Sequence, residues 1–292
     1  MDNVDFGLYI TRRSLPVSET FEYYRRCIQI LPAGFTTLWM EDHLQWEEIP
    51  TLECLTTLSY LAAEYPNFRV GSLVLSQAYR NPALVAKMAA NIQLLSQGRL
   101  ILGIGAGWKE DEFSAYGYPY PTTKTRLEQL EEAIIVIRSM WTSSPATSFG
   151  QYYQIQNAYC EPRPSPLIPL LIGGGGERHT LRLVARYADW WNFNSCTAKE
   201  YARKVVILKK HCDEVGRNFT EIKLTYSAWL SIAEISSQLM RAPQRHIIAG
   251  NASEVIRELK QFCEIGVTHF ILKFPNLSTI NYFISAVMPH FI

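Results

Sequence analysis

The sequence is poor in charge and lacks the common metal and redox signatures. Charged residues make up 19% of the 292 positions and the formal net charge is +1. No Lys/Arg run is dense enough to follow a phosphate backbone, so nucleic acid is excluded as an expected partner. The six cysteines form no CxxC pair, and the six histidines show no HExxH or other metal-type spacing. A metal site is therefore not expected, and the thiols read as free in a reducing cytoplasm. No apolar run reaches the ~18 residues of a membrane span. The N-terminal stretch MDNVDFGLYI is acidic and lacks a basic n-region, so no secretory signal is expected. There is no repeated sequence of solenoid or propeller period, and no glycine is followed by the Lys-Ser/Thr of a P-loop.

What is present is apolar residues in quantity, 48% of the chain, and a regular rhythm. Short β-branched or apolar runs fall at 5–10, 36–41, 69–76, 99–106, 169–174, 189–194, 222–231 and 268–274. Helix-like segments lie between them at about 18–32, 51–64, 82–96, 124–141, 177–187, 197–216 and 252–265, with a last at 278–288. Ser18 or Thr20, Pro82, and Asn251 or Ser253 mark helix starts; Gly98, Gly216 and Gly266 mark stops. Eight strands, each followed by a helix, predict an α/β fold of the (β/α)8 TIM-barrel class, with an open doubly wound sheet as the alternative. The stretches 108–123, 142–168 and 232–250 break the rhythm and read as insertions in a single domain spanning 1–292. The last reads equally as a lid or a plain connecting loop.

In a barrel the site lies at the carboxyl ends of the strands. Here those ends carry Glu41-Asp42-His43, Ser76-Gln77, Gly103, Gly105, Gly107 and Trp108, Gly173 to Gly176, Asn192 and Asn194, and Lys273. The run GGGGER at 173–178 is either a tight strand-to-helix turn or an anion site. In the second case the glycines admit a phosphate to the backbone amides, a helix from Glu177 or Arg178 adds its positive end, and Arg178 or His179 adds charge. His43 is either a structural histidine or a proton-exchanging group, since an imidazole titrates near ~6.5. Asp42 either orients His43 or bonds a neighbouring backbone N–H. The glycines at 103, 105 and 107 serve either close strand packing or a flat ligand against the strand. The tryptophans near the strand ends, among them Trp46 and Trp108, are either core or the wall of a planar pocket.

Four stretches, WMEDHLQW, LVLSQAYRNPALVAKMAANIQLLSQGRLILGIGAGWKEDEFSAYG, RLEQLEEAI and PLLIGGGGERHTLRLVARYADWWN, together resemble the bacterial luciferase-like monooxygenase superfamily, and within it the coenzyme F420-dependent oxidoreductases. The resemblance spans roughly residues 5–275. It implies hydride transfer between the deazaflavin C5 and a small organic substrate. Asp42 and His43 would lie beside the ring, with His43 exchanging the proton. Ser76 and Gln77 would back the ring and are expected to be joined by a non-proline cis peptide. Gly105 and Gly107 would clear room along the cofactor tail, and Gly174, Gly175 and Gly176 would hold its phosphate. Trp46, Trp108 and Asn194 would line the substrate pocket.

Sugar-phosphate dehydrogenases of the superfamily place an acid soon after the strand-four glycines. Trp108 stands there in this chain, with Glu110 and Glu112 further on, so an apolar planar substrate is expected rather than a sugar phosphate. Two alternatives carry different tests: an FMN monooxygenase using oxygen and a partner flavin reductase, and a non-catalytic protein that binds a flavin or deazaflavin. A cytoplasmic homodimer is the usual assembly in the superfamily.

Overall fold

The computed structural model describes residues 4–11, 14–233 and 246–292. The fold is α/β, a (β/α)8 barrel. By chain contacts it divides into two compact units, residues 1–39 with 174–292, and residues 40–173.

The first unit carries β1 (Asp5–Ile10), α1 (Val17–Gln29) and most of β2 (Phe35–Met40). After the second unit the chain returns to it with α6 (Thr180–Tyr187), β9 (Trp190–Asn194), α7 (Ala198–Glu214), β10 (Lys223–Ile232), β11 (Ile248–Gly250), α8 (Ala252–Ile265), β12 (Val267–Lys273) and α9 (Leu277–Ala286). Its strands are parallel. Asp5 to Leu8 run beside His269 to Leu272, and Lys223 to Ser227 run beside Trp190 to Asn194. The core is largely aromatic: Phe6 packs on Phe35, Phe270 and Phe283, and Tyr226 stacks on Phe262 at 4.0 Å. Reciprocal capping boxes start two helices, Thr197 with Glu200 at α7 and Asn251 with Glu254 at α8. Gly266, with φ 107°, ends α8 in the left-handed conformation. The helix α1 starts differently from expectation. It opens at Val17 behind Pro16, with no side-chain cap, and Ser18 and Thr20 lie inside it.

At the amino-terminal strand ends of this unit sits a part-buried polar cluster. His269 joins Asp5 through Nδ1 and Thr37 Oγ1 through Nε2 at 3.0 Å, and Lys223 lies 3.5 Å from the same aspartate. Residues at that end of a barrel strand serve stability rather than chemistry.

The second unit carries α2 (Cys54–Glu64), β3 (Arg69–Ser72), β4 (Leu75–Ser76), α3 (Pro82–Leu95), β5 (Leu100–Gly105), α4 (Glu110–Ala115), α5 (Thr123–Thr142), the antiparallel hairpin β6 (Ala146–Phe149) and β7 (Gln154–Ala158), and β8 (Leu170–Gly173). β3, β4 and β8 all pair with β5 in parallel. Apolar residues on α3 and α5 pack together; Ala86, Ala89 and Ala90 on α3 are fully buried, as are Ile134 and Ile137 on α5.

Two of the expected insertions have structure of their own. Residues 108–123 contain α4, and 142–168 contain the hairpin. The hairpin turn is gripped from α5: the Glu132 carboxylate accepts the backbone N–H of Gln151, Tyr152 and Tyr153 at 2.8, 2.7 and 3.0 Å. Most of the third, residues 234–245, lies outside the described residues, and with it the expected lid or loop; its end forms β11, parallel to β10.

The non-proline cis peptide is at Leu73–Val74, not at Ser76–Gln77. Val74 follows it and fills the space left by three glycines. A Cβ on Gly103, Gly105 or Gly173 would come within 3.2, 2.8 or 3.0 Å of the Val74 methyls. On the side where Gly105 would carry a Cβ, the Val74 side chain packs against it. Gly107 is similarly covered, by Ser76 Oγ and the Phe113 ring.

Candidate active site

The carboxyl end of β2 runs directly into Glu41, Asp42 and His43, which places the last two beside the ends of β4 and β5 within the second unit. Asp42 does not touch His43. Its carboxylate accepts the Ser76 backbone N–H at 2.9 Å and a two-pronged pair of bonds from Arg80, at 2.9 and 2.8 Å. Of the two roles open to Asp42 from the sequence, bonding a neighbouring N–H is the one realised. Arg80 also bonds Glu53, whose carboxylate caps α2 through the Leu55 and Thr56 amides. One guanidinium therefore joins the end of β2, the end of β4 and the start of α2. Burial works against its charge, yet Asp42 and Glu53 outweigh it and hold Arg80 more firmly protonated than usual.

His43 is oriented instead by Glu112, on the first turn of α4. Nδ1 lies 2.8 Å from Oε2, and the Glu112 side chain is fully buried. The same carboxylate accepts the N–H of Leu44 and Gln45 at 3.0 and 3.1 Å, and the Tyr79 hydroxyl at 3.1 Å. Burial pushes the Glu112 carboxyl up; His43, the Gln45 N–H and Tyr79 overcome it and leave it below the usual glutamate range. Burial and the Glu112 charge push Tyr79 up, so its hydroxyl remains a donor.

The sign of the Glu112 shift fixes a pH dependence. A carboxyl with a lowered folded pKa adds stability above its ordinary value, 4.5, and that stability is lost as pH falls through the lowered one. Urea titrations of wild type and Glu112→Gln from neutral pH downward are expected to show a gap in midpoint at neutral pH that narrows steadily below 4.5. A gap independent of pH would show that the ionised carboxylate contributes nothing.

Around His43 stands an aromatic wall. The Trp46 and Trp108 rings approach the imidazole edge-on at 5.0 and 5.9 Å, and lie 6.2 Å from each other. Lys109 sits over the Trp46 ring at 4.7 Å. Trp108 is 58% exposed, a large apolar surface left open beside the part-buried His43 imidazole. Ser76 contributes a different signal: its hydroxyl oxygen is buried with no hydrogen-bond partner among the described residues. Gln77, expected to back a cofactor ring, is engaged within the protein. It accepts from the Tyr153 hydroxyl of the hairpin at 2.6 Å and donates to Gln129 on α5 at 3.3 Å.

Gly173 closes β8 in the second unit, and Gly174 to Gly176 belong to the first. Gly174, at φ 118°, donates to Asn192 O at 3.0 Å and accepts from the Trp191 indole at 2.8 Å. The Phe193 ring lies where a Gly175 side chain would be. The helix α6 starts at Thr180, later than the expected Glu177 or Arg178, and the Leu181 N–H reaches back to Gly176 O at 2.9 Å. The turn at 177–179 is held from α7, where Lys204 and Arg203 bond the Glu177 carboxylate at 2.7 and 2.8 Å and His211 meets its carbonyl at 2.8 Å. The amides of Gly175 and Gly176 are given to no acceptor among the described residues, which suits them to an external anion. Asn192 is committed to Thr225 and Ser227, while Asn194 is exposed at the end of β9.

The sequence gives Arg80 no role and shows Glu112 only as one of two glutamates beyond Trp108. The signal for Glu112 was present in the acidic opening of α4, Glu110-Asp111-Glu112, but nothing in it distinguishes the acid that turns inward.

The luciferase-like monooxygenase family matches residues 6–269. The chain is 28% identical over 288 residues to an F420-dependent glucose-6-phosphate dehydrogenase of Amycolatopsis mediterranei, covering 83% of this chain and 85% of that protein. It is 25% identical over 289 residues to the enzyme of the same description from Kineococcus radiotolerans, covering 85% of each. Its fold superposes on an F420-dependent secondary alcohol dehydrogenase in complex with an F420-acetone adduct, with TM-score 0.85, 19% identity and 99% of both chains covered. It also superposes on the coenzyme F420-dependent tetrahydromethanopterin reductase of Methanopyrus kandleri, with TM-score 0.83, 19% identity, and 99% and 100% covered.

Proposed function

Given that the chain belongs to the luciferase-like monooxygenase family, we propose that it is a coenzyme F420-dependent oxidoreductase acting on a small organic substrate. The observation that carries the chemistry is His43, held on a buried carboxylate and faced by two tryptophans. Residues of each unit, taken separately, suit such a cofactor: in the first, Gly175 and Gly176 leave amides open for a phosphate, and in the second a buried hydroxyl, Ser76 Oγ, has no partner among the described residues. When bound, the deazaflavin supplies a carbon that gives or takes hydride without readily activating oxygen.

The chain's own part is orientation and proton management. Gly175 and Gly176 bind the phosphate through their backbone amides, and Gly174, whose amide is given to Asn192, shapes the turn that presents them. Arg80 fixes Asp42, and Asp42 fixes the Ser76 peptide, so the end of β4 is set before any ligand arrives. His43 holds or receives the proton that accompanies hydride transfer. Trp46 and Trp108 keep water from it and favour an apolar, planar substrate. Because the relatives above are named for glucose 6-phosphate, that sugar phosphate is the first compound to assay. Its ready oxidation would overturn the apolar-substrate reading. A cytoplasmic homodimer completes the proposal and is checked by light scattering of the purified protein.

Parallel fluorescence titrations with F420 and FMN test the cofactor. Tighter binding of F420 is expected, and a preference for FMN would move the protein to the flavin monooxygenases. Binding of both without turnover of any substrate would favour a binding protein. With a substrate in hand, His43→Ala is expected to reduce kcat about 10²–10⁴-fold and leave F420 affinity nearly unchanged. Unaltered turnover would make His43 structural.

A further inference from the structure

We propose that Glu112 is a positioning residue that locks His43 in the tautomer carrying hydrogen on Nδ1, so that Nε2 is the atom that exchanges a proton with substrate. This rests on the reading of His43 as the proton-transferring group.

The geometry leaves little freedom. Each Glu112 oxygen meets two donors. Oε1 takes the Leu44 and Gln45 amides, and Oε2 takes Tyr79 Oη and lies 2.8 Å from His43 Nδ1. An ionised carboxylate has only lone pairs to offer. The hydrogen in the fourth contact must therefore come from the imidazole. The carboxyl is held below the ordinary glutamate range by these same donors, so it stays ionised at neutral pH. With Nδ1–H committed, the ring can gain or lose a proton only at Nε2.

The arrangement also fixes where the ring stands. Three consecutive residues, 43 to 45, give their donors to one carboxylate. The turn after β2 and the imidazole on it are thus set by one side chain from α4, and the Trp46 and Trp108 edges limit rotation of the ring. An unconstrained histidine in water prefers hydrogen on Nε2, which would present a donor at the working atom and remove the acceptor. Glu112 reverses that preference.

The test needs neither substrate nor cofactor. The full-length protein is labelled with 15N-histidine, and the two ring nitrogens of His43 are assigned by loss of their signals in His43→Gln. Spectra are taken at alkaline pH, where an ordinary imidazole is neutral. Wild type is expected to show a protonated Nδ1 and a bare Nε2. Glu112→Gln, whose amide can both give and accept, is expected to shift the population toward hydrogen on Nε2. Tyr79→Phe, which removes a neighbour of the same oxygen but no partner of the ring, is expected to keep the wild-type pattern. Hydrogen on Nε2 in wild type overturns the proposal, and this holds even if Glu112→Gln does not fold. A folded Glu112→Gln with unchanged nitrogen signals overturns it as well. Failure of the His43 reading shows separately, as unaltered turnover in His43→Ala with the nitrogen pattern intact.

Discussion

Arg80→Ala is expected to lower stability by about 3–5 kcal/mol, the cost of leaving a buried carboxylate without its partner. The magnitude follows from where the charges lie. Asp42 is fully buried and the Arg80 side chain is 10% exposed. An exposed pair would count for about 0–1 kcal/mol. Removing the guanidinium leaves Asp42 with the Ser76 N–H alone, and Glu53 with only its helix-capping contacts. Urea unfolding of the variant measures the loss. The paired substitution Asp42→Asn with Arg80→Ala is expected to recover part of it, because the uncompensated charge is then gone. A loss below about 1 kcal/mol for Arg80→Ala alone would mean that water reaches Asp42 freely.

Gly103→Ala is expected to be at least as damaging, for a steric reason. An added methyl would stand 2.0 Å from the Ser72 carbonyl oxygen. That oxygen is backbone, and the strand behind it is fixed to β5 by more than the ladder. The Ser72 hydroxyl donates to Gly103 O at 2.8 Å and accepts from Gly103 N at 2.9 Å. Overpacking usually costs ~1–3 kcal/mol where side chains can yield; here two strands would have to part. The expected result is loss of more than about 3 kcal/mol, or no folded protein on expression. Gly34→Ala provides the contrast. Its methyl would come within 2.2 Å of Met288, but of the tip of a flexible side chain, so a loss under about 1.5 kcal/mol is expected. Equal losses at the two positions would show that β3 and β5 adjust more easily than their bonds imply.

Much of this structure was legible in the sequence, and the missing parts share a cause. The eight barrel strands were recognisable because each is a short apolar run bounded by turn residues, and helix signals such as Asn251 and Gly266 act locally. The strand ends carrying His43, Ser76 and the glycines followed from the barrel rule. The partners of those residues did not. Glu112 is 69 positions from His43 and Arg80 is 38 from Asp42, and such pairings depend on which strand ends the fold brings together. Proximity in sequence left Asp42 two roles, to orient His43 or to bond a neighbouring backbone N–H, and could not choose between them. Chain geometry decides for the second, since the Asp42 carboxylate is committed to Ser76 and Arg80. The glycines at 103 and 105 left close strand packing and a flat ligand both open, because a sequence cannot show that Val74 packs against them. The hairpin at 146–158 was hidden by its polar, turn-rich composition; its strands are largely exposed and are anchored by Glu132 from outside the segment.

Val74 and the glycines it covers also constrain how this barrel can vary among relatives. Gly103, Gly105 and Gly173 come from two strands and meet the same pair of methyl groups. The four positions behave as one packing unit. A larger residue at Gly105 or Gly173 becomes acceptable only when position 74 shrinks, and at Gly103 the Ser72 carbonyl must move as well. A larger residue at 74 finds no glycine left to give up. Substitutions within the set should be strongly epistatic, and in an alignment the four should change together or not at all.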